Sequence, residues 1–356
     1  MHRKLFIPGP TEVRADVLEK MATPMIGHRT AEATELQKSI SEKLQKVFFT
    51  ESDILVSTSS GTGLMEGAIR CGTAKRAAVF SVGSFGERWH KMAVNNGVEA
   101  DLFEVEDGKH TDPDEVDKVL KTGKYDLVTI THNETSAGLT NPCAEIGEVI
   151  KKYPDVLYCV DAVSSAGGMK IEVDKWGIDV CITSTQKCLG LPPGMSVTTF
   201  SPKAVERAQN VNIRGYYLDL LMVHENVKKN FQYPSTPSIA HMFALDYQLD
   251  QILNVEGLEN RFARHTAMAE LVRNWANEKF EIFPAAEFAS DTVSCITNTR
   301  GIDVKELCSK LNDVGYEISN GYGKLVEKTF RIAHMGDLTT GDVTELLGVI
   351  DGILGI

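Results

Sequence analysis

Along the chain, short runs of apolar and β-branched residues alternate with stretches whose apolar positions recur at helical spacing, and each apolar run closes in small or polar residues. The runs predict strands near 53–58, 77–82, 98–104, 126–131, 156–161, 179–184 and 196–200. Between them the spacing predicts helices near 31–48, 63–71, 86–96, 113–121 and 145–152. Such alternation implies an α/β fold, a mainly parallel seven-stranded sheet with helices on both faces and ligands gathered at the carboxyl ends of the strands.

After about residue 236 the pattern changes. Two long helical segments are expected at 238–254 and 256–278, with Gly257 between them, and short strands and helices then alternate to the end. Val293–Thr297 and Phe330–Ala333 are the candidate strands there. The reading is an N-terminal arm over 1–14, a large ligand-binding domain over 15–255 and a smaller C-terminal α/β domain over 256–356. No internal repeat, low-complexity tract or long linker interrupts it.

A length of 356 residues exceeds what one core normally fills, which agrees with two domains. The net charge of -12, without any long Lys/Arg run, argues against nucleic acid or a membrane surface as partner. Seven cysteines without a CxxC pair fit neither a disulfide framework nor a zinc site. The apolar run before Pro8 is too short for a signal peptide, no stretch suits a membrane span, and the C-terminus is not a peroxisomal address. A cytoplasmic protein is expected.

Three elements carry candidate chemistry. Asp53-Ile-Leu-Val-Ser-Thr58 reads as a strand and Leu64-Met-Glu-Gly-Ala-Ile-Arg70 as a helix. Ser60, Gly61 and Thr62 then occupy a turn whose N–H groups point outward unpaired, a seat for a phosphate dianion. An ordinary glycine-rich connection with a Ser or Thr cap fits the same letters. Asp161 closes the apolar strand Val156-Leu-Tyr-Cys-Val160, where a carboxylate needs a cation or donors. A pyridinium N–H is one such cation, while a metal or a capping role is the alternative. Lys187 ends the run that begins at Asp179, where its amine can form a Schiff base with an aldehyde, although a lone lysine after a strand is commonly just solvated. Gln186 beside it can donate to a phosphate or sit at the surface. Amine, carboxylate and phosphate seat together suggest pyridoxal 5'-phosphate.

Pro8-Gly-Pro10, Gly27-His-Arg29, Ser60-Gly-Thr-Gly63, Gly83-Ser-Phe-Gly-Glu-Arg88, Thr131-His-Asn-Glu-Thr135, Val160-Asp-Ala-Val163, Ser184-Thr-Gln-Lys187 and Arg331-Ile-Ala333 follow one another in order. In this the chain resembles the class V aminotransferases of the alanine-glyoxylate and serine-pyruvate type, a fold type I pyridoxal phosphate family, over nearly its whole length. The resemblance implies that Phe85 stacks on the cofactor ring, where many members place tryptophan, and that Val163 packs on the opposite face. It implies that Thr135 bonds the phenolic oxygen and that Arg331 clamps the substrate α-carboxylate, where a structural salt bridge is the other reading. Thr62 stands where some members carry histidine. Tyr233 and Thr236 resemble the pair that reaches the phosphate of a neighbouring subunit, implying a homodimer with shared active sites. The roles of His28 and Arg29 stay open.

The implied activity moves an amino group from a small amino acid, alanine or serine, to glyoxylate or pyruvate in a ping-pong sequence. Aspartate would want a second cation, for which Arg29 and Arg214 are candidates. One rival is a lyase of the cysteine desulfurase or kynureninase kind. Desulfurases place histidine over the ring and need a mobile nucleophilic cysteine, whereas here Phe85 holds that position, Cys295 falls in a strand pattern and Cys308 in a helix. A second rival is a non-catalytic partner subunit, against which the complete set of cofactor residues argues.

Overall fold

A computed structural model describes residues 2–356. Seven strands form the main sheet: β1 (Asp53–Ser57), β2 (Ala77–Ser81), β3 (Ala100–Glu104), β4 (Leu127–Thr131), β5 (Leu157–Asp161), β6 (Val180–Ser184) and β7 (Ser196–Phe200). Their spatial order is β1-β7-β6-β5-β4-β2-β3. β7 runs antiparallel to both of its neighbours and the other pairings are parallel, so all strands but β7 point the same way. In β2, β4, β5 and β6 every residue is buried. That is why they read as unbroken apolar runs: a sheet covered on both faces has no solvent side to mark with polar residues.

Helices α1 (Ala31–Phe48), α2 (Gly61–Gly72), α3 (Ser84–Asn95), α4 (Pro113–Leu120) and α5 (Cys143–Ile150) lie where the spacing places them. The long segment expected over 238–254 is an α-helix over Ile239–Asp250 that widens to a π-helical turn over Gln251–Glu256, and Leu258–Lys279 follows Gly257. Four helices lie where the sequence reading places none: Ala15–Met21, Val173–Trp176, Pro202–Gln209 and Leu220–Asn230. Among the described residues no helix is long and apolar enough to cross a membrane.

A second sheet, entirely antiparallel, joins Glu281–Ile282, Val293–Thr297, Thr329–Ala333 and Ser319–Asn320 in that spatial order. One apolar core runs from Val17 to Ile252, and another combines Phe6 with residues from Met268 to Ile350. We propose that the two domains divide between these cores, near residue 255. Phe6 belongs to the second core because Lys4–Leu5 pairs in parallel with Tyr316–Glu317. From there the chain crosses to the main sheet, where the Thr11 N–H donates to the Gln186 carbonyl and the Thr11 hydroxyl to the Lys187 carbonyl, both at 3.1 Å.

Candidate active site

The carboxyl ends of β1, β2, β4, β5 and β6 share one edge of the sheet, and the residues that follow them surround a cavity of about 150 Å³. Nine of the residues expected at the site line it: Ser60, Gly61, Thr62, Phe85, Thr135, Asp161, Val163, Gln186 and Lys187.

β1 turns through Ser60 into α2. Ser60 is the N-cap residue in extended backbone, yet its hydroxyl makes no capping bond. Among the described residues the Thr62 N–H also lacks a partner, while Gly61 N–H donates to Ser184 Oγ at 2.6 Å. The helix therefore begins with a free hydroxyl, a free N–H and the positive end of its dipole at the cavity wall. Gly61 is required by proximity: a Cβ there would lie 2.5 Å from Val163 Cγ2 and 2.8 Å from Ser184 Oγ.

Asp161 ends β5, 4% exposed, and its Oδ1 accepts from the Val163 N–H at 2.9 Å. No Lys, Arg or His of the described residues forms an ion pair with it. Burial pushes its carboxyl up to about 6, with the Val163 N–H offsetting part of the effect. Lys187 follows β6, which pairs with β5. Burial pulls its amine down to about 8, so a larger share is neutral and nucleophilic near neutral pH than for an exposed lysine. Its Nζ donates to the Pro8 carbonyl. Gly9, at φ +103°, passes so close that a Cβ would sit 2.7 Å from Nζ. The loop after Lys187 is held by buried Arg261, which donates to the Cys188 carbonyl at 2.6 Å while paired with Glu256 and Asp337.

Phe85 lines the cavity and is only partly buried, so it is not a core residue. Its helix start is fixed by buried Glu134, whose carboxylate accepts from the N–H groups of Phe85 and Gly86, each at 3.1 Å. Burial raises the Glu134 carboxyl. Thr135 shares a 2.6 Å hydrogen bond with Ser164. The Oε1 of Gln186 and the Oδ1 of Asn133 are buried at the cavity without partners.

Arg331, Tyr233 and Thr236 lie outside the cavity lining. Arg331, 7% exposed, donates to the carbonyls of Asn320 at 3.1 Å and Thr135 at 3.3 Å. Among the described residues it has no carboxylate partner, so the salt-bridge reading fails. A buried guanidinium with donors to spare is the receptor a carboxylate needs. Tyr233 is 5% exposed and its hydroxyl accepts from the Val56 N–H at 3.1 Å, at an edge position of β1, which leaves the hydroxyl its own proton to donate. Thr236 is exposed on the loop that follows. Arg29 holds that loop through the Tyr233 carbonyl at 2.5 Å, and Arg214 pairs with Asp219 at 3.0 Å. Both guanidinium groups considered for a dicarboxylic donor are thus engaged elsewhere.

Met65, Arg88, Asn133, Ser164 and Ser184 complete the lining and were not singled out from the sequence as site residues. Arg88 lay inside a quoted motif, and its position three residues after Phe85, on the same helix face, was the available signal.

An amine, an unpaired buried carboxylate and an open helix N-terminus around one cavity define an enzyme that grips a phosphorylated aldehyde cofactor through a Schiff base. The chain matches the family described as aminotransferase class-V over residues 6–331. It is 40% identical over 355 residues to an uncharacterized aminotransferase of Methanocaldococcus jannaschii, covering 98% of this chain and 91% of the relative. A protein named soluble hydrogenase 42 kDa subunit from Anabaena cylindrica is 33% identical, covering 98% of this chain and 92% of its own. An L-aspartate–glyoxylate aminotransferase of Paracoccus denitrificans is 32% identical, over 97% and 89% of the two chains. Among solved structures, an alanine–glyoxylate aminotransferase from Nostoc sp. superposes with a TM-score of 0.94 at 27% identity, covering 99% of this chain and 96% of that one.

The chain belongs to the class V aminotransferases. It is a transaminase, its cofactor is pyridoxal 5'-phosphate, and the residues present fit that group: Asp161 is buried without a cation, and the helix start at Ser60 and Thr62 is open at the same cavity.

Proposed function

We propose that the protein transfers the amino group of a small neutral amino acid, alanine or serine, to glyoxylate or pyruvate, in two half-reactions of ping-pong order. The observation that supports this donor class is the disposition of cations. Arg331 meets only the carbonyls of Asn320 and Thr135, the latter at the cavity, and is available for an α-carboxylate; Arg29 also meets only neutral groups, but on the loop after Tyr233, and Arg214 is paired with Asp219. Arg88, the other arginine at the cavity, is hydrogen-bonded to Thr62 at the phosphate end. Among the described residues no arginine besides Arg88 lines the cavity to meet the second carboxylate of aspartate.

When bound, pyridoxal 5'-phosphate supplies an aldehyde that captures amino groups and a ring that draws electrons from the substrate α-carbon. Asp161 holds a negative charge against the ring nitrogen. Phe85 and Val163 enclose the ring faces, and Thr135, steadied by Ser164, meets the phenolic oxygen. Arg331 orients the substrate carboxylate so that the bond to the leaving hydrogen faces Lys187. Lys187 Nζ would take that proton from the α-carbon and deliver it to the cofactor carbon that bore the aldehyde, a transfer of a kind that contributes roughly 10²–10⁴-fold in rate.

Tyr233 and Thr236 are the pair that would reach the phosphate of a neighbouring subunit, Tyr233 with the proton its hydroxyl keeps while accepting from Val56. Exposed Met25, Ile213, Tyr216 and Tyr217 support a homodimer, because apolar side chains of that size are stabilised by a partner surface. The free thiols, of which Cys308 alone is not fully buried, favour a reducing compartment such as the cytoplasm. Burial raises the thiols of Cys295 and Cys308 to about 11, the reverse of what a desulfurase nucleophile needs. Steady-state kcat/KM for alanine, serine and aspartate, each with glyoxylate, pyruvate and 2-oxoglutarate, tests the reading. A highest value for aspartate overturns the donor class.

A further inference from the structure

Arg88 has one hydrogen bond among the described residues, from its terminal nitrogen to Thr62 Oγ1 at 3.1 Å, and no carboxylate within ion-pairing distance. Its guanidinium carbon lies 4.5 Å from the centroid of the Phe85 ring, one turn back on α3, which braces it from the side. It lines the same cavity as Ser60, Gly61 and Thr62.

The phosphate seat is otherwise neutral. Ser60 and Thr62 offer hydroxyls, the helix start offers N–H groups, and a helix dipole amounts to only about half a charge. A phosphate monoester carries about -1.5 to -2 at neutral pH. The neighbouring buried carboxylates, Asp161 and Glu134, add negative charge to the same region. A full positive charge at the seat is therefore needed, and Arg331, outside the cavity lining, is held by Asn320 and Thr135. Thr62 has a further use for Arg88. A hydroxyl that accepts from a guanidinium keeps its own proton free to donate, so the bond from Arg88 turns the Thr62 O–H towards an anion.

Building on the cofactor assignment, we infer that Arg88 is the cation of the phosphate seat, acting directly and through Thr62, and that it makes the site select the phosphorylated cofactor over plain pyridoxal. The role belongs to this chain's pairing of Arg88 with threonine at 62, a coupling of two residues far apart in sequence.

The test is equilibrium titration of cofactor-free protein with pyridoxal 5'-phosphate and, separately, with pyridoxal, followed by absorbance at roughly 410–430 nm. Arg88→Gln is expected to weaken binding of the phosphorylated form roughly 10- to 100-fold, the range for charge-assisted hydrogen bonds, and to leave pyridoxal binding unchanged. Arg88→Lys is expected to fall between. Thr62→Val should weaken the phosphorylated form as well, and Arg88→Gln in that background should lose less than it does alone. Unchanged affinity for pyridoxal 5'-phosphate, or equal losses for both ligands, overturns the inference. Should Arg88→Gln fail to fold, the Lys variant and Thr62→Val decide by the same comparison of ligands. A wild-type protein that shows no absorbance band with either ligand would sink the cofactor assignment itself, a distinct result.

Discussion

The ring of Tyr322, in the turn that follows the Ser319–Asn320 strand of the small sheet, stacks on Phe85 of the large sheet's helix with centroids 5.8 Å apart and planes 30° from parallel. Tyr322 also lies 5.4 Å from the Arg331 guanidinium, so one side chain borders both the expected ring stack and the expected carboxylate clamp. Tyr322 lines a neighbouring cavity and not the cofactor cavity, and given the expected roles of Phe85 and Arg331 it would border the donor side. Tyr322→Ala should keep the cofactor and turnover of alanine, while raising kcat/KM for donors with larger side chains relative to alanine by roughly 10-fold, the value of about one or two methylenes of pocket. An unchanged donor profile would remove Tyr322 from the specificity determinants.

Asp161 is costly to the protein without its cofactor. Its folded-state carboxyl, at about 6, lies above the unfolded value of 3.8, so the folded chain binds the proton more tightly. The sign follows: this group's contribution is most favourable below the unfolded value and declines as pH rises from there through about 6, a loss on the order of 2–3 kcal/mol by neutrality. Asp161→Asn should therefore raise the unfolding midpoint of cofactor-free protein at pH 7, with the gain disappearing towards pH 4, while transamination is lost. Thermal melts at the two pH values, with and without cofactor, check it.

Capture of the cofactor should follow the ionisation of Lys187. With its amine pulled down to about 8 by burial, the neutral form dominates above that pH. The association rate with pyridoxal 5'-phosphate, read by stopped-flow absorbance, should fall about tenfold per pH unit below 8 and level off above it. A rate still climbing steeply at pH 10 would mean an unshifted lysine.

Gly61→Ala places a methyl group 2.5 Å from Val163 and 2.8 Å from Ser184, in the position that also guards the phosphate seat. Overpacking of this kind costs about 1–3 kcal/mol. Lower thermal stability and faster cofactor loss on dialysis are expected together. Gly348→Ala, in the C-terminal helix with nothing within 4 Å, is the control and should be neutral or slightly stabilising.

The sheet was readable because burial on both faces writes strands as continuous apolar runs, and β2, β4, β5 and β6 are buried throughout. Asp161 and Lys187 were readable because charge at the tip of such a run demands a partner. Arg88 was not, since a cation on an amphipathic helix ordinarily faces water, and only the fold brings it to Thr62. Pro202–Gln209 escaped because its buried face is carried by Ala204 and Ala208, too small to mark an apolar stripe.

Lys4 and Leu5 lie on the small sheet's side of the molecule, and Thr11 is fastened beside Lys187 with Gly9 pressed against the amine between them. The segment from Lys4 to Thr11 is thus a splint between two bodies that passes the reacting nitrogen. A substitution that loosens Leu5 from Glu317 would slacken it, and the slack would be felt at Lys187.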